Sequence, residues 1–210
     1  GRGDKEYYVR GTFTRRNTDF VNDAVYLWDE GFGHISIEPV VLPQSHPLCI
    51  RDADLQAVFE SYDALLLEVV RRKREGRPHH FFHFTLDLTG GPCLKKRLSG
   101  CGAGREYLAV TPDGTLYPCH QFVGREGFVV GNVRDGIENA GLRDHFEKNS
   151  IRHKQGCADC FAKYFCSGGC AANAQAHSGN IFEPNPLECA MLKKRTECAL
   201  ALAALDAIEV

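Results

Sequence analysis

Hydrophobic and polar positions in the first 88 residues switch between two periods. Residues 6–14 (EYYVRGTFT) are rich in β-branched and aromatic side chains and predict a strand. In residues 17–30, Phe20, Val21, Ala24, Val25 and Trp28 recur at helical spacing; Thr18 or Asp19 can cap this helix and Gly31 can end it. Residues 34–42 form an apolar run that reads as a buried strand stopped by Pro43. Residues 52–75 then align Leu55, Val58, Phe59, Tyr62, Leu65, Leu66 and Val69 on one helical face. Residues 80–88 (HFFHFTLDL) predict another strand. Strand, helix, strand, helix, strand is the pattern of parallel α/β structure, whose sheet is covered on both faces. So few parallel strands leave an unpaired edge, so the segment reads as the end of a larger structure.

The pattern changes at Thr89-Gly90-Gly91-Pro92, a predicted domain boundary that divides the chain into residues 1–88 and 89–210. Beyond it the apolar stretches are shorter. Residues 105–111 and 115–119 flank Pro112-Asp113-Gly114 and predict a hairpin. Residues 127–133 predict a third strand and residues 137–148 a short helix. Asn185-Pro186-Leu187-Glu188 opens the last helix with a cap residue, a proline and an acid.

Cysteines change the picture most. Cys157 to Cys170 reads CADCFAKYFCSGGC, four cysteines spaced C-x2-C-x5-C-x3-C, with Ser167, Gly168 and Gly169 before the last. Such a run brings several sulfurs to one small region, and its density suits metal ligation better than disulfide geometry. Cys93, Cys101, Cys119 and Cys189 also stand beside glycines, turns or a helix start, and with the first four they make up two four-cysteine centres. Two zinc ions and two iron–sulfur clusters satisfy that count equally. Cys49 and Cys198 match no motif and read as buried thiols.

Composition excludes more than it assigns. The net charge of −2 gives no bulk attraction to nucleic acid or to an anionic membrane, and no apolar run reaches the ~18–20 residues of a membrane span. The first residues, GRGDKEYYVR, have no signal-peptide core, so the expectation is a cytoplasmic protein whose thiols stay reduced. Arg2-Gly3-Asp4 reads as a chance match to an adhesion tripeptide, and the basic run 71–77 (RRKREGR) as a helix end facing water. His120, beside Cys119, reads as a loop histidine, and His79, His80 and His83 as structural or solvated.

Cys101, Gly114 and Cys119 in C-x12-G-x4-C, then C-x2-C-x5-C-x3-C, then C-x18-C to Cys189, resemble the seven-cysteine signature of SPASM domains. These domains extend radical S-adenosylmethionine (SAM) peptide-modifying enzymes at the C-terminal side. The resemblance covers about residues 90–200. Residues 91–124 (GPCLKKRLSGCGAGREYLAVTPDGTLYPCHQFVG) look most like maturases of the cysteine-rich SCIFF peptide, which form thioether cross-links from a cysteine sulfur to an α-carbon. The fold implied is α/β then α+β. Residues 1–88 would be the last βα units of a partial radical SAM (β/α)6 barrel, with VRGTFTRRN and HISIEPVV as late strands. Residues 89–210 would be a SPASM domain with a β-hairpin, cysteine-rich loops and a C-terminal helix.

The resemblance also implies two auxiliary [4Fe–4S] clusters. Cys101, Cys119 and Cys170 would hold the first, with Cys93, outside the signature, as its fourth ligand or leaving one iron open to a substrate thiolate. Cys157, Cys160, Cys166 and Cys189 would hold the second. Thr14, Asn17 and Glu38, at late strand ends, would face S-adenosylmethionine or substrate. The superfamily's C-x3-C-x2-C triplet, which binds the catalytic cluster, does not occur in this sequence. S-adenosylmethionine and a third [4Fe–4S] cluster would therefore belong only to a full-length enzyme supplying the N-terminal half of the barrel. Its expected partners are a cysteine-rich ribosomal precursor peptide and a reductive electron donor, with no nucleic acid and no membrane. A sulfatase-maturase-like or quinone-cofactor enzyme, or a double-zinc interaction module, would be the alternatives.

Overall fold

The computed structural model describes residues 7–86, 88 and 94–208. In chain order the first elements are β1 (Val9–Phe13), α1 (Phe20–Asp29), β2 (His34–Pro39), α2 (Leu55–Arg74) and β3 (His80–Phe81). Next come α3 (Leu94–Ser99), β4 (Ala109–Val110), β5 (Thr115–Tyr117), β6 (Gly131–Asn132) and β7 (Gly136–Ile137). The chain closes with α4 (Ala140–Glu147), α5 (Lys163–Cys166), α6 (Ala171–Ser178) and α7 (Pro186–Ile208). Two units result, Gly1–Gly91 with Pro186–Val210, and Pro92–Asn185.

In the first unit β1 pairs with β2 in parallel, Val9 against Ile35 through Phe13 against Pro39, and β2 pairs with β3, His34 against His80. Alternation along these strands turns Phe13, Ile35, Ile37 and Phe81 to one face. There they share a core with Phe20, Ala24 and Trp28 of α1 and Val58, Tyr62, Leu65 and Val69 of α2. Both long helices therefore bury the stripes that their periodicity marks. The strand expected over 80–88 ends at Phe81. Phe82–Phe84 tightens into a 3-10 turn, because Phe81 and Phe84 both enter the core while Phe82 stays exposed, a spacing of three that a strand cannot give.

The last helix departs from the expected division at 88/89. Met191, Cys198 and Ala199 of α7 join the core of the first unit, and Lys194 meets Asp63 of α2 at 2.6 Å. The long apolar side of α7 finds its complement on α2. The basic run also differs from expectation at one residue. Arg71, Lys73 and Arg74 face solvent, but Arg72 is 2% exposed, bonded to Glu68 and Asp29 with its guanidinium 5.5 Å from the Trp28 ring. Cys49 and Cys198 are buried as expected; burial pushes the Cys198 thiol up to about 12.

The second unit carries β4–β7 as an antiparallel meander. The hairpin forms where the turn residues put it: the Gly114 N–H bonds the Thr111 carbonyl at 2.8 Å, and Asp113 accepts from the Thr115 hydroxyl at 3.0 Å. Its strands are shorter than the expected 105–111, 115–119 and 127–133. One reason lies before β4, where the Gly104 N–H bonds the Pro118 carbonyl at 2.7 Å and bends residues 102–107 into a loop. Phe122, Phe128 and Phe146 form a small aromatic core, the first two stacked at 4.5 Å. The short helices α3, α5 and α6 lack an apolar period long enough to mark them in advance.

Candidate metal centre

Strand β5 delivers Cys119. The residue is extended (φ −161°, ψ 173°), follows Pro118 and precedes the tight turn His120–Phe122. Its side chain is buried, and burial pushes the thiol above its ordinary range. Opposing this, the sulfur accepts the backbone N–H groups of Gln121 and Phe122 and the Tyr107 hydroxyl. Donors of this kind stabilise thiolate charge and tune a metal bound to it.

Tyr107 gathers the other sulfurs. Burial raises its hydroxyl well above the usual phenol range, and the neighbouring Cys119, Cys101 and Cys170 raise it further. Three cysteines far apart in sequence therefore lie near enough to one phenol to act on it electrostatically. The loop from Cys101 to Tyr107 is held to β5 through Gly104, whose φ is +73° and whose Cα faces Phe146 so closely that a Cβ would stand 2.7 Å from the ring. Gly100, just before exposed Cys101, lies against Ser167: a Cβ there would be 3.5 Å from it. Cys170 is the extended residue that precedes α6.

The dense cysteine segment folds as successive turns. The Cys160 N–H bonds the Cys157 carbonyl at 3.3 Å, and the Lys163 N–H bonds the Cys160 carbonyl at 3.2 Å. Cys166 ends α5, bonding Ala162 at 2.8 Å. Ser167, Gly168 and Gly169 then all take left-handed angles (φ 56°, 86° and 70°). Such a run reverses the chain in the three residues between Cys166 and Cys170, which explains glycine at two of them. Cys157 is buried, and Cys160, Cys166 and Cys170 are half-buried.

No disulfide joins any two of the described cysteines. Among the described residues no three His, Cys, Asp or Glu side chains converge as a site for a single metal ion. A cubane spreads its ligands over four irons, and the thiol set around Tyr107, with backbone N–H donors at Cys119, has the soft-donor chemistry that such a cluster requires. Cys93 lies outside the described residues. Cys189 stands in the first turn of α7, in the other unit. Tyr107 is not singled out by spacing, because it carries no motif.

The remaining predicted residues belong to the first unit. The Thr14 N–H and hydroxyl both donate to Asn17 Oδ1, at 2.8 and 2.9 Å, closing a small turn after β1. Glu38, on β2, meets Arg10 at 3.2 Å and His83 Nε2 at 3.3 Å. Ser36 Oγ meets the same nitrogen at 3.1 Å. Burial, helped by the positive Arg195 and Arg10, lowers the His83 pKa to about 2, which leaves the imidazole uncharged beside Glu38. Arg10, Ser36 and Glu38 with Tyr8 and Phe82 line a pocket of about 270 Å³. His120 is exposed in its loop.

Residues 101–161 match the SPASM iron–sulfur cluster-binding domain. A structure of anSMEcpe with bound AdoMet and Kp18Cys peptide superposes on 98% of this chain and 58% of its own, with TM-score 0.68 and 18% identity. A hexahistidine-tagged anSMEcpe with bound AdoMet gives TM-score 0.71 over 98% of this chain and 55% of that one, again at 18% identity. An uncharacterized protein of Archaeoglobus fulgidus is 34% identical over 118 residues, 55% of this chain and 27% of its own length. Mycofactocin maturase MftC of Mycolicibacterium smegmatis is 31% identical over 99 residues, 44% of this chain and 24% of its own. The fold of the chain is similar to that of part of these anSMEcpe structures, and residues 101–161 carry the match to the SPASM iron–sulfur cluster-binding domain. The chain spans about a quarter of the curated relatives and somewhat over half of the solved chains. Among the described residues no helix is long and apolar enough to cross a membrane.

Proposed function

We propose that this chain is the auxiliary-cluster portion of a radical SAM peptide maturase that installs thioether cross-links in a cysteine-rich ribosomal peptide of the SCIFF type. The observation that carries the reading is the grouping of Cys101, Cys119 and Cys170 around Tyr107, within a domain whose family binds iron–sulfur clusters. Cys101, Cys119 and Cys170, with Cys93 or an open iron, are the ligands of one [4Fe–4S] centre. Cys157, Cys160, Cys166 and Cys189 are those of a second. Bound there, the clusters supply one-electron redox chemistry and iron sites for sulfur. The chain's own part is to hold thiolates, to donate hydrogen bonds to Cys119 from Gln121, Phe122 and Tyr107, and to bury that sulfur from water.

Thr14, Asn17 and Glu38 belong to a pocket for S-adenosylmethionine or substrate, completed by the rest of the barrel in a full-length protein. S-adenosylmethionine, a third [4Fe–4S] cluster and an electron donor act with that whole protein, in the cytoplasm. The match to mycofactocin maturase favours a second reading, in which the same two centres serve a different peptide modification.

The test is anaerobic reconstitution with iron and sulfide, followed by iron, sulfide and zinc quantification. About eight irons and eight sulfides per chain are expected for two cubane clusters. Two zinc ions and no visible absorption would overturn the proposal. Co-expression of the full-length enzyme with its neighbouring peptide, read by mass spectrometry, separates thioether formation, with its loss of hydrogen, from another modification.

A further inference from the structure

Residues 179–185 connect α6, which starts just after Cys170, to α7, whose first turn carries Cys189. The connection is fastened within the second unit. Gly179 ends α6 in a left-handed conformation, with φ 78°. Asn180 Oδ1 accepts the Phe182 N–H at 3.0 Å. The Phe182 carbonyl accepts the Gln155 N–H at 3.0 Å, just before the cysteine segment begins at Cys157. Ile181 is fully buried, and the Phe182 ring meets His145 edge-on with centroids 4.8 Å apart.

The last fastening is made by two side chains. Asn173 and Asn185 are 6% and 5% exposed, and Asn185 Nδ2 donates to Asn173 Oδ1 at 3.1 Å. Amides withdrawn from water are costly unless they are bonded. The bond they form is directional, so it holds only when the two segments meet in one register, which an apolar contact does not demand. Asn173 follows Cys170 by three residues, and Cys189 follows Asn185 by four, each about one helical turn along the chain. One hydrogen bond thus joins the helix that Cys170 opens to the residue from which α7 departs toward Cys189.

We infer that Asn173 and Asn185 are positioning residues, whose side-chain hydrogen bond sets where α7 begins and so presents Cys189 to the second centre. The inference rests on the two-cluster reading above. The pair exchanges no electron or proton and makes no covalent bond. Its part is to keep the first turn of α7 in place, so that the Cys189 thiolate stays with the centre assigned to Cys157, Cys160 and Cys166. Without the bond that turn opens more often, and the thiolate is left to react with a reagent in solution.

The experiment is anaerobic pulse alkylation of the reconstituted protein with iodoacetamide, read cysteine by cysteine by mass spectrometry. Wild type, Asn173→Leu and Asn173→Asp are compared, with iron and sulfide counted on each sample first. A wild type that binds no iron–sulfur cluster, or a loaded one whose Cys189 reacts as fast as in denatured protein, refutes the two-cluster reading itself. With a loaded and protected wild type, the inference expects Cys189 to be labelled about tenfold faster in Asn173→Leu, which removes the acceptor. Cys101, Cys119 and Cys170 should keep the wild-type rate. Asn173→Asp keeps an oxygen for the Asn185 amide and is expected to return Cys189 to the wild-type rate.

Wild-type protection of Cys189 in Asn173→Leu would overturn the inference. Equal acceleration at Cys170 would also overturn it, by making Asn173 a support of α6 alone, and so would an Asp variant as reactive as the Leu one. Should Asn173→Leu fail to fold, Asn185→Ser takes its place. It keeps a helix-capping residue type and removes the amide donor, and the same rates at Cys189 and Cys170 decide.

Discussion

The two units hold themselves together by different means. In the first, two long helices and a parallel sheet close on a continuous core that runs from Phe13 and Phe20 through Trp28, Tyr62 and Leu65 to Met191 and Ala199. In the second, β4, β6 and β7 are two residues long and β5 three, and loops position the cysteines. The difference lies in how much regular structure each has: apolar burial between long elements dominates the first unit, whereas the second is mostly loops and turns around a small aromatic core, with the cysteines on those loops. Small metal-binding folds commonly draw folding energy from the metal.

Removing iron from the reconstituted protein should affect the two units unequally. Amides between Cys101 and Cys170 should lose most of their hydrogen-exchange protection, while those of β1, β2 and α2 keep theirs. Equal loss in both would remove the distinction. A core truncation should do the reverse. Leu65→Ala, at a fully buried site, is expected to cost about 2–5 kcal/mol in urea unfolding of the first unit and to leave iron per chain unchanged.

Gly104→Ala is the next largest. It places a Cβ 2.7 Å from Phe146 at a positive φ, for about 1–3 kcal/mol in the second unit, and should lower iron uptake by displacing the Cys101 loop from Cys119. The effect spread over the widest range of conditions is that of pH on the first unit. His83 has a folded pKa near 2 against an ordinary 6.5, and Glu68, bonded to Arg71 and Arg72, one near 2 against 4.5. For both, the unfolded chain binds the proton more readily. Their contribution to stability is therefore complete above pH 6.5 and declines as pH falls toward 2, at no more than about 1.4 kcal/mol per pH unit for each group. Unfolding of His83→Phe, followed from pH 7 to 5, should show a shallower decline than wild type; an unchanged slope would place the pH dependence elsewhere.

The sequence reads the first unit well because its helices are long. Twenty residues of α2 repeat one apolar face, and periodicity needs no other information. It reads short elements poorly. Phe82 and His83 alternate like a strand, yet the chain turns there because Phe84 must reach the core beside Phe81. Arg72 is buried although its run of basic neighbours points to water, since only the folded core places Asp29 and Trp28 beside it. In the second unit the cysteine spacing marks a candidate site directly, and Gly114 marks the turn before Cys119. Tyr107 and Gly104 escape notice because their roles come from loops that meet in space, and no local spacing encodes such meetings. The placement of α7 with the first unit escapes for a related reason: a helix that follows the cysteines in sequence packs on α2, far before them.

The most direct test of the two-centre arrangement is iron and sulfide per chain in Cys119→Ala and Cys160→Ala, each reconstituted beside the wild type. Each variant should lose about half of the wild-type iron, and the double variant nearly all of it, if the two cysteines belong to different four-iron centres as proposed. Wild-type iron in either single variant, or complete loss from one substitution with the protein still folded, would contradict the arrangement.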